Sequence, residues 1–208
     1  MRYDHENYFD NSKMKLILPQ NSLYENLVFN YRQIPSKSGY YSEIHQISDR
    51  KIPLHKSATL SIKPFQVPDR LKSKLLLVNT DEHGKIKWSG GEYKNGYVQA
   101  SILSFGNFSV TIDTVSPVIN PVKYNIRNNN YNDQDQIQFI IKDDLSGIFT
   151  YNGFIDDKWA LFEYEPKDNL LYYEFDSQRM KFNMMHTLFL QVTDKKGNLA
   201  TYNCTFYK

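Results

Sequence analysis

The chain has 208 residues, a formal net charge of +2 and 40% apolar residues. Near-balanced charge with no Lys/Arg block argues against binding along a nucleic-acid backbone, and no stretch approaches the ~20 apolar residues that a membrane-spanning helix needs. Length permits one or two domains, apolar content suffices for two ordinary cores, and the 16 Tyr and 13 Phe suit the half-buried surface of a sheet.

The opening Met1-Arg-Tyr-Asp-His-Glu6 is polar and lacks the apolar segment of a signal peptide, so the chain reads as cytosolic or as a piece of a longer one. Residues 1–14 are expected to be a polar connector. In Ala58-Thr-Leu-Ser-Ile-Lys63, Ala58, Leu60 and Ile62 fall on one face, and Tyr97–Ile102 and Asn107–Ile112 alternate in the same way. Period two over six residues predicts strands with one wet face. Leu75-Leu-Leu-Val78 is continuous and predicts a strand buried on both sides, while Asp81–Gly84 and Tyr93-Lys-Asn-Gly96 supply turns.

The run Ser109–Ile112 reads as the last strand of one β-domain, and Ser116-Pro117 as the joint to the next. Beyond it, strands are predicted near Tyr124 and over Ile137–Lys142, Phe149–Tyr151, Trp159–Tyr164, Leu170–Phe175, His186–Val192 and Ala200–Phe206. Seven short strands with frequent turn signals suggest an immunoglobulin-like sandwich. The expected class is all-β: a connector (residues 1–14), an N-terminal β-sandwich (15–115) and a C-terminal immunoglobulin-like β-sandwich (116–208).

Little in the chain looks like a reaction centre. Cys204 is in phase with Tyr202 and Phe206, which predicts a buried, inert thiol. The turn acids Asp143, Asp144, Asp156, Asp157 and Asp194 are candidates for a calcium site at one end of the second sandwich, since inter-strand loops supply the oxygen ligands this hard cation requires. The competing reading is that Asp occupies those positions because it makes turns. Trp88, Tyr93 and Tyr97 around Gly90-Gly91, and Trp159 further on, are candidate ligand-binding rings, because flat aromatics stack on sugars. Alternatively they fill the two cores, with Trp159 as the central packing residue of its sandwich.

His45-Gln-Ile-Ser-Asp49 spells His-x-x-x-Asp, one half of the zinc ligand set of lysostaphin-like endopeptidases. Such a site also needs a His-x-His pair to leave three protein ligands and one open position. His5, His45, His55, His83 and His186 provide no such pair, so His45 and His55 are expected on strand or loop surface.

The segments Phe139–Ile148, Tyr151–Tyr164 and Leu188–Asn198 resemble the C-terminal region of exported bacterial zinc metallopeptidases of the lysostaphin (LytM) type. Ile52–His55, Ala58–Lys63, Gly90–Tyr93 and Phe105–Val110 running into Asp113–Pro117 extend the resemblance over nearly the whole chain from Leu16. It implies β-sandwich domains following a catalytic zinc domain, an exported location in the periplasm or at the cell surface, and peptidoglycan as the parent's substrate. The family's catalytic residues map onto no position here, so zinc and the catalytic partner are expected upstream and no cofactor in this chain. The expected role is non-catalytic: to target, position or gate the endopeptidase. The alternative is a surface adhesion or carbohydrate-binding module, with a surface glycan as partner and no link to proteolysis.

Overall fold

Alternation becomes burial in the N-terminal half. In the computed structural model, which describes residues 1–122 and 128–208, Met14, Leu16 and Leu18 of β2 (Met14–Leu18) point into one core with Ala58, Leu60 and Ile62 of β5 (Pro53–Ile62) and Val98, Ala100 and Ile102 of β9 (Tyr97–Ser104). With the edge strands β1 (Asn7–Asp10) and β8 (Glu92–Lys94) they form one antiparallel sheet in the order β1-β2-β5-β9-β8. The second sheet runs β3 (Tyr31–Ile34), β4 (Ile44–Ile47), β10 (Gly106–Ile112), β6 (Leu75–Thr80), β7 (Ile86–Gly90). It sends Ile47, Leu75, Leu77, Phe108 and Val110 into the same core, which makes the pair a sandwich. A single turn, α1 (Asp69–Lys72), precedes β6. All six residues of β6 are buried, in keeping with its unbroken apolar run.

Residues 1–14 are not a connector. Met1 donates its ammonium to Leu27 O at 2.7 Å and its carbonyl accepts from Leu27 N–H, while β1 pairs with β2 from Asn7↔Leu18 to Asp10↔Lys15. The polar composition belongs to an outermost strand, where one inward ring is enough: Phe9 lies 5.0 Å from Phe29 and 4.9 Å from Tyr31, centroid to centroid. The contacts divide the chain into two compact units, Met1–Asp113 and Thr114–Lys208.

The second unit is also built from two antiparallel sheets. One contains β11 (Val118–Pro121), β12 (Gln136–Lys142), β16 (Leu170–Glu174) and β15 (Glu163–Glu165), in that order. The other contains β14 (Lys158–Ala160), β13 (Ile148–Ile155), β17 (Met185–Asp194) and β18 (Leu199–Tyr207). Ile137, Phe139, Ile141 and Leu171 of the first meet Leu188, Leu190, Val192 and Phe206 of the second in a separate core. The strand expected near Tyr124 lies outside the described residues. Both units are β-sandwiches, and the chain is all-β as its alternation predicts.

Two expectations in this unit need correction. Trp159–Tyr164 is not one strand: the chain leaves β14 after Ala160 and re-enters the opposite sheet as β15. Phe162 at the crossing drops its ring into the core beside Gly153. Cys204 faces inward as its phase predicts, yet it is only half-buried, because β18 is the outer strand of its sheet. Along β18, Asn129 and Tyr131 bond to Tyr207 through Tyr207 N→Asn129 O (2.9 Å) and Tyr131 N→Tyr207 O (2.8 Å).

Gly153 makes the Phe162 crossing possible. A Cβ there would stand 2.2 Å from two ring carbons of Phe162 and 3.1 Å from Leu190 Cδ2. Gly153→Ala is therefore expected to cost ~1–3 kcal/mol, the range for overfilling a packed core. Denaturant titration of the single and double variants checks the cause: Phe162→Leu should recover part of the loss in the Gly153→Ala background, and strictly additive effects would refute the contact.

Candidate functional site

The candidate rings of the first unit do not form one platform. Trp88, on β7, is half-buried and packs edge-on to Phe108 with centroids 6.3 Å apart. Tyr93 pairs with Val98 across β8 and β9, so it shares the inward face with that buried residue. The Lys72 ammonium lies 5.4 Å from its ring centroid. Tyr97 is one residue out of phase with Val98 and points to the opposite face, its hydroxyl donating to Ser12 O at 3.1 Å and Lys15 Nζ standing 5.1 Å over its ring. Trp88 and Tyr93 thus serve the core, and Tyr97 ties down the β1–β2 turn.

His45 is not at the surface as expected. It is fully buried on β4, with Nδ1 2.8 Å from the Tyr31 hydroxyl, which in turn accepts from Asn11 Nδ2 at 2.8 Å. Asn11 Oδ1 also accepts from Met14 N–H at 2.8 Å, so the chain of bonds stitches the β1–β2 turn on one sheet to β4 on the other. His45 Nε2 has no hydrogen-bond partner among the described residues. Burial lowers the His45 pKa to about 4, with Glu43 opposing the shift and Lys13 adding to it. Asp49 stands in the exposed turn beyond β4 and accepts from Lys51 N–H at 2.9 Å, so the pair makes no half-site. His55 is on exposed strand surface as expected, 3.3 Å from the Tyr24 hydroxyl.

The five aspartates do not gather at one end. Ile148, at the start of β13, pairs with Asp194, and Ile155, at its end, pairs with Leu188, which separates Asp194 from Asp156 by the length of the strand. At the first end, Asp143 Oδ2 accepts from the N–H groups of Leu145 (3.1 Å) and Gly147 (2.7 Å). Asp194 Oδ1 accepts from those of Lys196 (2.7 Å) and Asn198 (2.9 Å), and its Oδ2 from Asn198 Nδ2 at 2.6 Å. Asp144 pairs with Lys142 at the surface. These carboxylates hold turns, and Asp143 and Asp194 also offer carboxylate oxygens within 4.8 Å of each other, a spacing that could hold a metal ion. Asp156 and Asp157, at φ 48° and 62°, form the two-residue turn that joins β13 to β14.

That turn is one wall of a cleft of about 470 Å3 at the other end of the second sandwich. Trp159 and Leu161 form a second side, and Arg179, Met180, Lys181 and Met184, from the segment between β16 and β17, form the third. Trp159 is 61% exposed, so it is not the centre of its core. On a three-residue edge strand, Ala160 takes the inward position and Trp159 the outward one.

His186 sets the walls of the cleft. Its side chain is buried, with Nδ1 2.7 Å from Asp156 Oδ2 and Nε2 2.8 Å from Lys181 O. Both nitrogens face acceptors within hydrogen-bonding distance. Burial pulls the Asp156 pKa upward, but the Thr187 N–H (2.9 Å) and the His186 ring outweigh it and the net shift is downward. These contacts, with the Thr187 N–H on Asp156, bring the β13–β14 turn and the Lys181 carbonyl against the first residues of β17. Lys158, Lys181 and Arg179 are exposed at the rim. Arg179 has Asp176 3.4 Å away, whereas Lys158 and Lys181 have no ion-pair partner among the described residues. Sequence reading reached Trp159 and Asp156 but not these cations, because Asp176–Met184 has no periodicity and lies about twenty residues from the turn it meets.

The sequence pattern of the Zu5-like domain matches residues 1–113, more than half of the chain. The chain belongs to the Zu5-like domain family. The matched stretch ends at Asp113, where the first compact unit ends, so the Zu5-like domain is the five-on-five sandwich, leader strand included. No curated protein matches the chain. The Zu5-like sandwich supplies the His45 network, and the cleft belongs to the second unit.

Proposed function

We propose that this Zu5-like chain is the non-catalytic part of an exported, cell-envelope zinc endopeptidase of the lysostaphin (LytM) type, which it targets or positions on peptidoglycan. Zinc belongs in this reading to a separate catalytic domain, and the chain's own work is non-covalent binding. The observation that carries the binding role is the cleft of the second unit, where an outward-facing indole is flanked by Lys158 and Lys181, which have no ion-pair partner among the described residues, and backed by the His186–Asp156 contact. Such a surface suits recognition, offering contact area at low entropy cost beside charged hydrogen-bond donors. The link to an endopeptidase is supported by the order and spacing of the motifs from Ile52 to Asn198. The strand order of the second unit, β11-β12-β16-β15 over β14-β13-β17-β18, supports reading it as immunoglobulin-like. Holding an enzyme near its substrate raises the local substrate concentration without any new chemistry.

Co-sedimentation with purified peptidoglycan tests the targeting role. The whole chain should pellet with the wall material in a saturable manner, and retention no greater than that of a size-matched control protein would end the proposal. The exposed Trp159 also favours a second reading, a surface adhesion or glycan-binding module without a peptidase. A zinc-ligand set encoded in the same reading frame decides between the two.

A further inference from the structure

We infer that the cleft bounded by Trp159 and the 176–184 segment is a binding site for acidic oligosaccharides, with a sugar face against the indole and a carboxylate between Lys158 and Lys181. The inference rests on the reading of the chain as a non-covalent binder and gives that binder a site and a ligand class.

Three features of the cleft lead to this class. Trp159 presents its ring from an edge strand, 61% exposed, with Leu161 beside it 48% exposed. A large apolar ring on the outside of a three-residue strand adds nothing to the core, which Ala160 and Phe162 already reach on either side. The charge is the second feature. Lys158, Arg179 and Lys181 line the cleft, and Asp156 is the one acid among the lining residues. Asp156 is already engaged by His186 and by the N–H and hydroxyl of Thr187. The cleft is therefore net cationic, and its two lysines have no ion-pair partner among the described residues, so a ligand carboxylate meets donors of opposite charge.

Preorganisation is the third feature. Lys158 follows directly on the rigid Asp156-Asp157 turn, and the backbone of Lys181 is held by His186 Nε2. One buried imidazole thus sits between the two walls, within hydrogen-bonding distance of each. A volume of about 470 Å3 is within the range of small-ligand sites and suits one or two sugar rings rather than a folded partner. Neutral sugars would leave the lysines unused, and an inorganic anion would leave the ring unused. An acidic sugar uses both.

Trp159 is one of two tryptophans, so Trp88→Phe leaves it as the only indole in an otherwise complete chain. Oligogalacturonate titrated into Trp88→Phe protein should give a saturable fluorescence change, and a malto-oligosaccharide of equal length should give none. Lys158→Glu combined with Lys181→Glu should weaken the acidic ligand about tenfold or more, and raised salt should weaken it in parallel. Calorimetry on Trp159→Ala should show loss of binding with unchanged circular dichroism. Equal responses to acidic and neutral sugars, equal responses to oligogalacturonate and sulfate at matched ionic strength, no response at all, or full binding by the double glutamate variant would each overturn the site. Peptidoglycan retention that persists in Trp159→Ala would refute this site while leaving the targeting role intact, and loss of retention by the whole chain would refute that role instead.

Discussion

Gly91→Ala is expected to remove about 3 kcal/mol or more from the stability of the Zu5-like sandwich, a large share of the ~5–15 kcal/mol typical of a domain. Gly91 stands where the chain leaves β7 in one sheet and enters β8 in the other, and it does so at φ +93°. A side chain disfavours that backbone region, at a cost of order 1–3 kcal/mol. The added Cβ would also sit 2.6 Å from Gln99 O and 2.8 Å from Ala100 Cβ. The obstacle is the backbone of β9, which is paired on both edges and cannot yield as a flexible side chain would. Gly84→Ala supplies the control: its φ is +81°, but nothing lies within 4 Å of its added Cβ, so it bears the conformational penalty alone. Denaturant midpoints should therefore fall much further for Gly91→Ala, and equal losses would refute the steric account.

The second large effect is acid lability centred on His45. Its folded pKa of about 4 is below the 6.5 of an unperturbed imidazole. Between those values the unfolded chain binds a proton that the folded sandwich excludes, so stability rises with pH across that window. The stabilisation is complete above pH 6.5 and is lost progressively as pH falls toward 4. At 1.36 kcal/mol per unit, this one group removes ~2 kcal/mol between pH 7 and 5 and ~3 kcal/mol by pH 4. The upper part of the window lies above the range where carboxylates protonate, and those with lowered values, such as Asp4 and Asp10, titrate lower still. Urea denaturation at pH 7 and pH 5 measures the difference. His45→Gln keeps a polar group for the Tyr31 hydroxyl and has nothing to titrate, so its stability should be nearly flat over the same interval. An equal slope in the wild type and the variant would place the acid sensitivity elsewhere.

The two features behind these effects differ in how visible they were in the sequence. Alternation revealed β5, β9, β10, β12 and most of β17 and β18, because each has one face against a core and one against water. The strands that escaped are β1, β2, β3, β4, β7, β8 and β11; all but β2 and β4 are edge strands, and each is only three to five residues long, too short for alternation to stand out. The Tyr93–Gly96 turn was legible because Asn95-Gly96 tolerates two successive positive φ angles, 52° and 84°. The role of Gly91 was not, since it depends on Gln99 coming within reach. His45 was misplaced for a similar reason. Alternation in Ile44-His-Gln-Ile47 does not show that Tyr31 and Asn11 close over the ring. The cleft was half legible: Trp159 stood out as a large aromatic, but the cations facing it come from a segment with no pattern to extrapolate.

The sheet edges carry a consequence for colloidal behaviour. Seven of the eight outer strands described are three to five residues long, and β15 and β8 are bordered by charge as Glu163-Tyr-Glu165 and Glu92-Tyr-Lys94. Brevity and charge of this kind discourage one molecule from templating another. β18 is the exception at nine residues, and among the described residues Asn129 and Tyr131 bond to its Tyr207. In a concentrated preparation, these short, charged borders should keep the protein from assembling sheet to sheet.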